Sequence, residues 1–248
     1  MTYKQFSINL AKQAGKIMLA NFKGGMKKQW KKDHSPVTKT DLAINSMVIK
    51  EVKKNFPGHD VLGEEKSSRE NNGEFLWVCD PVDGTVPFSH ATPTFVFSLA
   101  LVKNGKSILG VIYDPFMDRL FFAEIGKGAT LNGKKIKVNK EDLSNSVAGW
   151  GAKTMSYLKE KFPNVTFVSM HCICYEGMLV ASGEFVAAFY DHVNAHDVAA
   201  LKVIVEEAGG KVTDRHGKEQ RYDGKINGAL ISNKKVHKDL LKAFAEIK

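Results

Sequence analysis

The segment Trp77-Val78-Cys79-Asp80-Pro81-Val82-Asp83-Gly84-Thr85-Val86-Pro87 constrains this chain more than any other. An apolar run from Phe75 to Cys79 leads into two carboxylates three positions apart, and a Gly-Thr pair follows. Burying like charges together is costly unless a cation compensates them. Pro81 fixes the backbone between the two acids, and Gly84 lets a ligand approach the chain closely. A helical turn beginning at Thr85-Val86-Pro87 would offer free N–H groups to an anion, and Pro87 suits a first turn. Oxygen ligands with no His or Cys between them favour Mg2+ over zinc. The segment reads as a place where a divalent cation and a phosphate meet.

The rest of the chain supplies a scaffold for it. With 248 residues and 43% apolar content, a sizeable core is possible in one large domain or two modest ones. Phe6, Leu10, Ala14 and Ile17 predict an amphipathic first helix ending near Phe22. Thr38 or Thr40 can cap a second helix over about 40–55, which Pro57-Gly58 ends. From Phe75 to Val138 the pattern is mostly β, with strands over 75–79, 95–102, 107–113 and 119–123 and hairpin turns at Asn104-Gly105 and Asn132-Gly133. After about residue 145 strands and helices alternate: strands at 165–170, 185–190 and 229–232, and helices at 174–182, 197–208 and 234–246. Gly209-Gly210 stops the helix that begins near Asp197. These texture changes divide the chain into an α+β half, residues 1–143, and an α/β half, residues 144–248, packed tightly without a linker.

Composition narrows the function classes. No apolar run approaches the roughly 18–20 residues of a membrane span. Lys4, Lys12 and Lys16 interrupt any signal-peptide core. Cys79, Cys172 and Cys174 read as free thiols of a reducing, cytoplasmic setting. Cys172-x-Cys174 has no second pair at zinc-finger spacing, so it reads as buried thiols. The net charge of +9 is spread over Lys27-Lys28, Lys31-Lys32, Lys53-Lys54, Lys134-Lys135 and Lys234-Lys235. That spread describes a solvated surface that attracts an anionic substrate and argues against a nucleic-acid interface, the rival class.

Other acids are ambiguous singly. Asp41 and Asp197 stand near helix starts, where capping alone explains an Asp. Glu64, in Gly63-Glu64-Glu65, would pass as a loop acid. Together they are specific. Ser35-Pro36-Val37-Thr38-Lys39-Thr40-Asp41, Gly63-Glu64-Glu65, Asp80-Pro81-Val82-Asp83-Gly84-Thr85, and Asp197-Val198-Ala199-Ala200 leading to Glu207-Ala208-Gly209-Gly210 resemble, in order and over nearly the whole chain, the inositol monophosphatase family. That family belongs to the Mg2+-dependent, lithium-sensitive phosphatases that include fructose-1,6-bisphosphatase.

The resemblance implies a mixed α/β fold, the layered αβαβα sandwich of the sugar-phosphatase type, often homodimeric. It implies two to three Mg2+ ions: Glu64, Asp80 and the Val82 carbonyl for the first, Asp80, Asp83 and Asp197 for the second, and Glu64 with Asp41 through water for a weaker third. Thr85, backed by Asp41, would position the attacking water, and the N–H groups of Gly84 and Thr85 would hold the phosphate. Lys32 takes the place of a family lysine near the active site, and Asp191 that of an acid binding substrate hydroxyls. The implied activity is hydrolysis of a small phosphate monoester. Inositol monophosphate is the default, and histidinol phosphate, fructose-1,6-bisphosphate and a phosphoadenosine phosphate are the alternatives. The chain departs from the family at His196, where a Trp is usual, and at Val86-Pro87. His196 reads as a packing substitution.

Overall fold

A computed structural model describes residues 1–24, 27–31, 36–71, 73–144, 146–150 and 155–246. Helix α1 (Tyr3–Asn21) is followed by strands β1 (Lys28–Trp30) and β2 (Pro36–Thr38), helix α2 (Lys39–Asn55), and strands β3 (Asp60–Gly63) and β4 (Phe75–Asp83). Then come α3 (Thr85–Ser89), β5 (Val96–Lys103), β6 (Lys106–Asp114), β7 (Arg119–Glu124), β8 (Ala129–Leu131) and β9 (Lys134–Lys135). The remainder is β10 (Ser146–Trp150), α4 (Met155–Lys161), β11 (Val165–Val168), α5 (Ile173–Ser182), β12 (Ala187–Tyr190), α6 (Ala195–Glu207), β13 (Lys211–Thr213), β14 (Ala229–Ser232) and α7 (His237–Ala245). None of the described helices is long and apolar enough to cross a membrane.

Strands β3 to β9 form one sheet in sequence order; β3 and β4 run parallel and the other neighbours antiparallel. Both predicted hairpin turns are present. Asn104 and Gly105, and Asn132 and Gly133, all have positive φ, as a tight two-residue hairpin requires. The second sheet has the order β11-β10-β12-β14-β13, with parallel pairs around β10 and antiparallel pairs around β14.

The period-2 alternation of the strands sorts side chains into layers. Trp77 and Cys79 of β4, with Phe97, Leu99 and Leu101 of β5, pack against α1 and α2. Leu76 and Val78, with Ala100 and Val102, face the other way. There they join Met178 of α5, Val198 and Leu201 of α6, and Ala188 and Ile231 of the second sheet. The far face of that sheet, with Ala187, Phe189 and Leu230, packs on Leu158 of α4 and Leu240 and Phe244 of α7. The order is helices, sheet, helices, sheet, helices: the αβαβα sandwich the family resemblance implies. Helix α6 belongs to the second half of the sequence, yet it lies directly on the first sheet.

The closeness of that contact depends on Gly110 of β6, where an added Cβ would stand 2.5 Å from the Ala200 carbonyl oxygen of α6. A Gly110→Ala substitution therefore forces α6 off the sheet. We expect a loss of about 1–3 kcal/mol of stability, the usual cost of overpacking, measured by chemical denaturation.

Candidate active site

Strand alternation places Leu76, Val78 and then Asp80 on one face of β4, the face that meets α6. In a regular strand Asp83, three residues on, would point the opposite way. It does not, because the ladder with β5 shifts register between Asp80 and Asp83. Pro81 contributes no ladder N–H, and a bulge of this kind re-aims side chains. Asp80 Oδ1 accepts the Val82 N–H at 3.0 Å and steadies the turn. Both carboxylates then point into one volume, and Asp197 from α6 joins them: ligand atoms of Asp80, Asp83 and Asp197 lie within 4.8 Å of one another.

Glu64 arrives by a different route. Strand β3 pairs parallel with β4, matching Gly63 to Cys79, and the Glu64 N–H donates to the Cys79 carbonyl at 3.1 Å. The residue after Gly63 is thereby set alongside Asp80. Its turn is clamped by Asn45 of α2, buried at 1% exposure. The Asn45 amide nitrogen donates to the Lys66 carbonyl at 2.9 Å, and its oxygen faces the N–H groups of Glu65 and Lys66 at 3.3 and 3.4 Å. A Cβ at Gly63 would collide with Asn45 and with the Lys66 carbonyl. Asn45 carries no signal in the sequence beyond its place in a helix.

Asp41 and Asp197 are both caps and site residues, and each divides the tasks between its two oxygens. Asp41 Oδ2 accepts the Thr38 N–H at 2.9 Å and also the Thr38 hydroxyl, closing a capping box on α2. Its Oδ1 lies 3.2 Å from Thr85 Oγ1. Asp197 Oδ2 accepts the Asn194 N–H at 2.6 Å at the start of α6, which leaves Oδ1 for the cluster. Asp83 is held by the Cys174 N–H and, at 3.3 Å, by the Cys172 thiol. The cysteines at the start of α5 are thus buried free thiols that brace an acid.

Gly84 has φ +88, and a Cβ there would lie 2.5 Å from the Thr94 carbonyl and 3.2 Å from Cys172. Helix α3 does start at Thr85, with Pro87 in its first turn and Val86 exposed. Thr85 Oγ1 faces two acceptors, Asp41 Oδ1 and, at 3.0 Å, the Val82 carbonyl.

Lys32 lies outside the described residues. Its neighbour Lys31, just past β1, is the lysine seen at the acids: Nζ is 2.7 Å from Glu64 Oε1 and 2.6 Å from Glu65 Oε1. Although burial pulls it down, hydrogen bonds to Glu64 and Glu65 hold the Lys31 ammonium above its ordinary pKa. Asp191 follows β12 and lies 3.6 Å from Arg215; it is not part of the described acidic groups. His196, read from sequence as packing, stands with Glu64 and Asp80 in a second group whose ligand atoms lie within 4.8 Å.

The electrostatics follow from this crowding. Burial, then the charges of Glu64, Asp83 and Asp197, raise Asp80 well above the ordinary carboxylate range. Burial and Asp197 push Asp83 up to about 6. Burial pushes Asp197 up to about 7, against the lowering effect of its Asn194 hydrogen bond. Burial raises Asp41 as well, with the Thr38 bonds opposing it. Burial lowers His196. Donors that are nearly all oxygen, buried and mutually repelling, fit hard divalent cations.

A sign for pH dependence follows. A carboxyl raised on folding favours the folded state only while protonated. For Asp83 and Asp197 that contribution is complete below about 4, the unfolded value. It is lost as pH rises through about 6 and about 7. Cation binding needs the deprotonated groups. Mg2+ should therefore raise the melting temperature more at about pH 8 than at about pH 5, measured by differential scanning fluorimetry. Equal shifts would contradict this account.

A layered sandwich with carboxylates from the turn after β3, from β4 and from the start of α6 converging on one site defines the class of metal-dependent phosphatases acting on phosphate monoesters. The chain belongs to the inositol monophosphatase family, whose sequence profile matches residues 2–248. It is 31% identical to the fructose-1,6-bisphosphatase/inositol-1-monophosphatase of Thermotoga maritima, over 98% of this chain and 95% of that one. It is also 31% identical to a histidinol-phosphatase of Chlorobaculum parvum, over 97% and 95% of the two chains. The solved Thermotoga maritima IMPase structure superposes with a TM-score of 0.90 at 31% identity, covering 99% of this chain and 98% of that one.

Proposed function

We propose that this chain hydrolyses the phosphate monoester of a small polyol, with inositol monophosphate the first substrate to test. The observation that carries the reading is the convergence of Glu64, Asp80, Asp83 and Asp197 from three separate segments, beside the Asp41–Thr85 pair. In this reading Glu64, Asp80 and the Val82 carbonyl hold one Mg2+, and Asp80, Asp83 and Asp197 hold a second. Glu64 with Asp41 serves a third. When bound, such ions supply neutralisation of phosphoryl charge and a lowered pKa for water.

The chain's own groups do the positioning. Thr85 Oγ1 passes its proton toward Asp41 Oδ1, 3.2 Å away, and so presents a lone pair to the attacking water. Thr38 fixes the other Asp41 oxygen, so the carboxylate cannot swing away. The N–H groups of Gly84 and Thr85 donate to the phosphate. Asp191 takes a substrate hydroxyl, and Lys32 with its neighbour Lys31 adds positive charge at the site. No cysteine acts as nucleophile: burial keeps all three thiols protonated, with pKa values well above the ordinary range.

The relatives' names include a histidinol-phosphatase and a fructose-1,6-bisphosphatase/inositol-1-monophosphatase, so the test is a panel. Phosphate release is measured from inositol-1-phosphate, histidinol phosphate, fructose-1,6-bisphosphate and phosphoadenosine phosphate, with and without Mg2+. The expected result is Mg2+-dependent release, fastest from inositol-1-phosphate. Preference for another member replaces the substrate and keeps the class. No release from any of them at millimolar Mg2+, with Asp83→Asn changing nothing, ends the proposal.

A further inference from the structure

Two triads share Asp80. One, Asp80–Asp83–Asp197, offers only carboxylate oxygens; the other, Glu64–Asp80–His196, contains an imidazole. His196 is the second residue of α6, directly before Asp197, and its side chain is 13% exposed. Its Nε2 lies 3.6 Å from Asp197 Oδ1, beyond hydrogen-bond distance. Among the described residues no other side chain or carbonyl accepts from or donates to the ring. A substitution made only for packing would turn an apolar surface to its neighbours. Here a polar ring nitrogen stands within 4.8 Å of oxygens from two buried or half-buried acids.

We propose that His196 supplies an imidazole nitrogen to the cation held between Glu64 and Asp80, making that position a mixed nitrogen–oxygen site with a preference for Mn2+ over Mg2+. This rests on the reading above that these carboxylates hold cations. The chemistry is that of donor type. Mg2+ keeps to oxygen ligands and gives up water reluctantly. Imidazole suits first-row transition metals better than it suits Mg2+. Mn2+, the member of that row most at home with carboxylate oxygen, can hold a mixed nitrogen–oxygen set where Mg2+ keeps to oxygen and water. The Asp80–Asp83–Asp197 triad itself offers only carboxylate oxygens and keeps its hard-ion character; His196 Nε2, although 3.6 Å from Asp197 Oδ1, groups with Glu64 and Asp80. The two neighbouring sites then differ in which metal each selects, and His196 is what separates them.

The test uses the full chain and Mn2+ alone as the probe, at less than one equivalent, read by pulsed electron paramagnetic resonance. The expected result is electron-spin-echo modulation from a coordinated 14N nucleus in the wild-type protein, absent in His196→Phe. In parallel, the ratio of Mn2+ to Mg2+ affinity, measured by calorimetry, falls by about tenfold or more in the variant, since even partners outside the ligand shell are worth roughly that much. Bound Mn2+ without nitrogen modulation in the wild type overturns the inference while the reading of the site stands. Failure of Mn2+ to bind at all overturns both. The wild-type spectrum decides the matter whether or not the variant folds well. His196→Gln, which keeps a polar side chain without the imidazole, must also lose the modulation.

Discussion

Asp80→Asn should remove nearly all hydrolytic activity and at the same time raise the melting temperature of the cation-free protein. Asp80 is the member common to both metal-competent triads. Burial and the charges of Glu64, Asp83 and Asp197 raise it well above the ordinary carboxylate range. Asparagine has nearly the same shape, and its Oδ1 can still accept the Val82 N–H that Asp80 takes at 3.0 Å. The bulge in β4 therefore survives, and what changes is one negative charge at the centre of a repelling set. Without cations that change relieves strain; with cations it removes the ligand both positions need. Loss of one preorganised charge-stabilising group costs on the order of 10²–10³ in rate, and a shared ligand should cost at least the upper figure. The two readouts oppose each other in sign, which separates this account from simple misfolding. Retention of more than a tenth of the activity, or a drop in cation-free stability, would contradict it.

The Asp80–Asp83 segment was legible in sequence because its information is local. A strand, a proline, a glycine and two acids within a few residues leave little freedom. The long strands and the amphipathic helices were legible for a similar reason, since each carries its own period. Strands β1, β2, β10 and β13 and helix α4 were not. They have three to seven residues, and short segments such as β2 or β13 are strands only because a partner pairs with them.

The site divides along the same line. That Asp41 and Asp197 cap helices is readable from their positions, and it is true of both. That each turns its second oxygen inward depends on how the α2 and α6 starts sit against β4, which no local pattern encodes. The sequence offers Lys31-Lys32 as a pair, and that Lys31 reaches Glu64 depends on the backbone direction past β1, which no local pattern encodes. Asn45 clamps the Glu64 turn from a neighbouring helix and looks like any helical asparagine. His196 was visible as a departure, but a sequence cannot place an imidazole between Glu64 and Asp80.

Thr85→Val should lower kcat by roughly 10²–10⁴, the range for losing a positioned proton acceptor, with little change in KM or in Mg2+-induced stabilisation. Valine keeps the volume and branching of threonine at the half-buried first position of α3, so the fold is retained. The hydroxyl has one proton and two acceptors, Asp41 Oδ1 at 3.2 Å and the Val82 carbonyl at 3.0 Å. Only donation to Asp41 leaves the proton where a base can keep it. Thr85→Ser preserves the hydroxyl and should retain most of the activity. Asp41→Asn tests the partner. Its amide oxygen can still accept the Thr38 N–H and hold the start of α2, but its NH2 would then face Thr85 and donate. The threonine proton is driven back to the Val82 carbonyl, and kcat should fall by a similar factor. Because the two residues act as one unit, the double variant should cost about as much as either alone rather than the product. Single-turnover kinetics on the four proteins decides it: multiplicative losses, or a Thr85→Ser variant as slow as Thr85→Val, would show that the pair does not share a proton in the reaction.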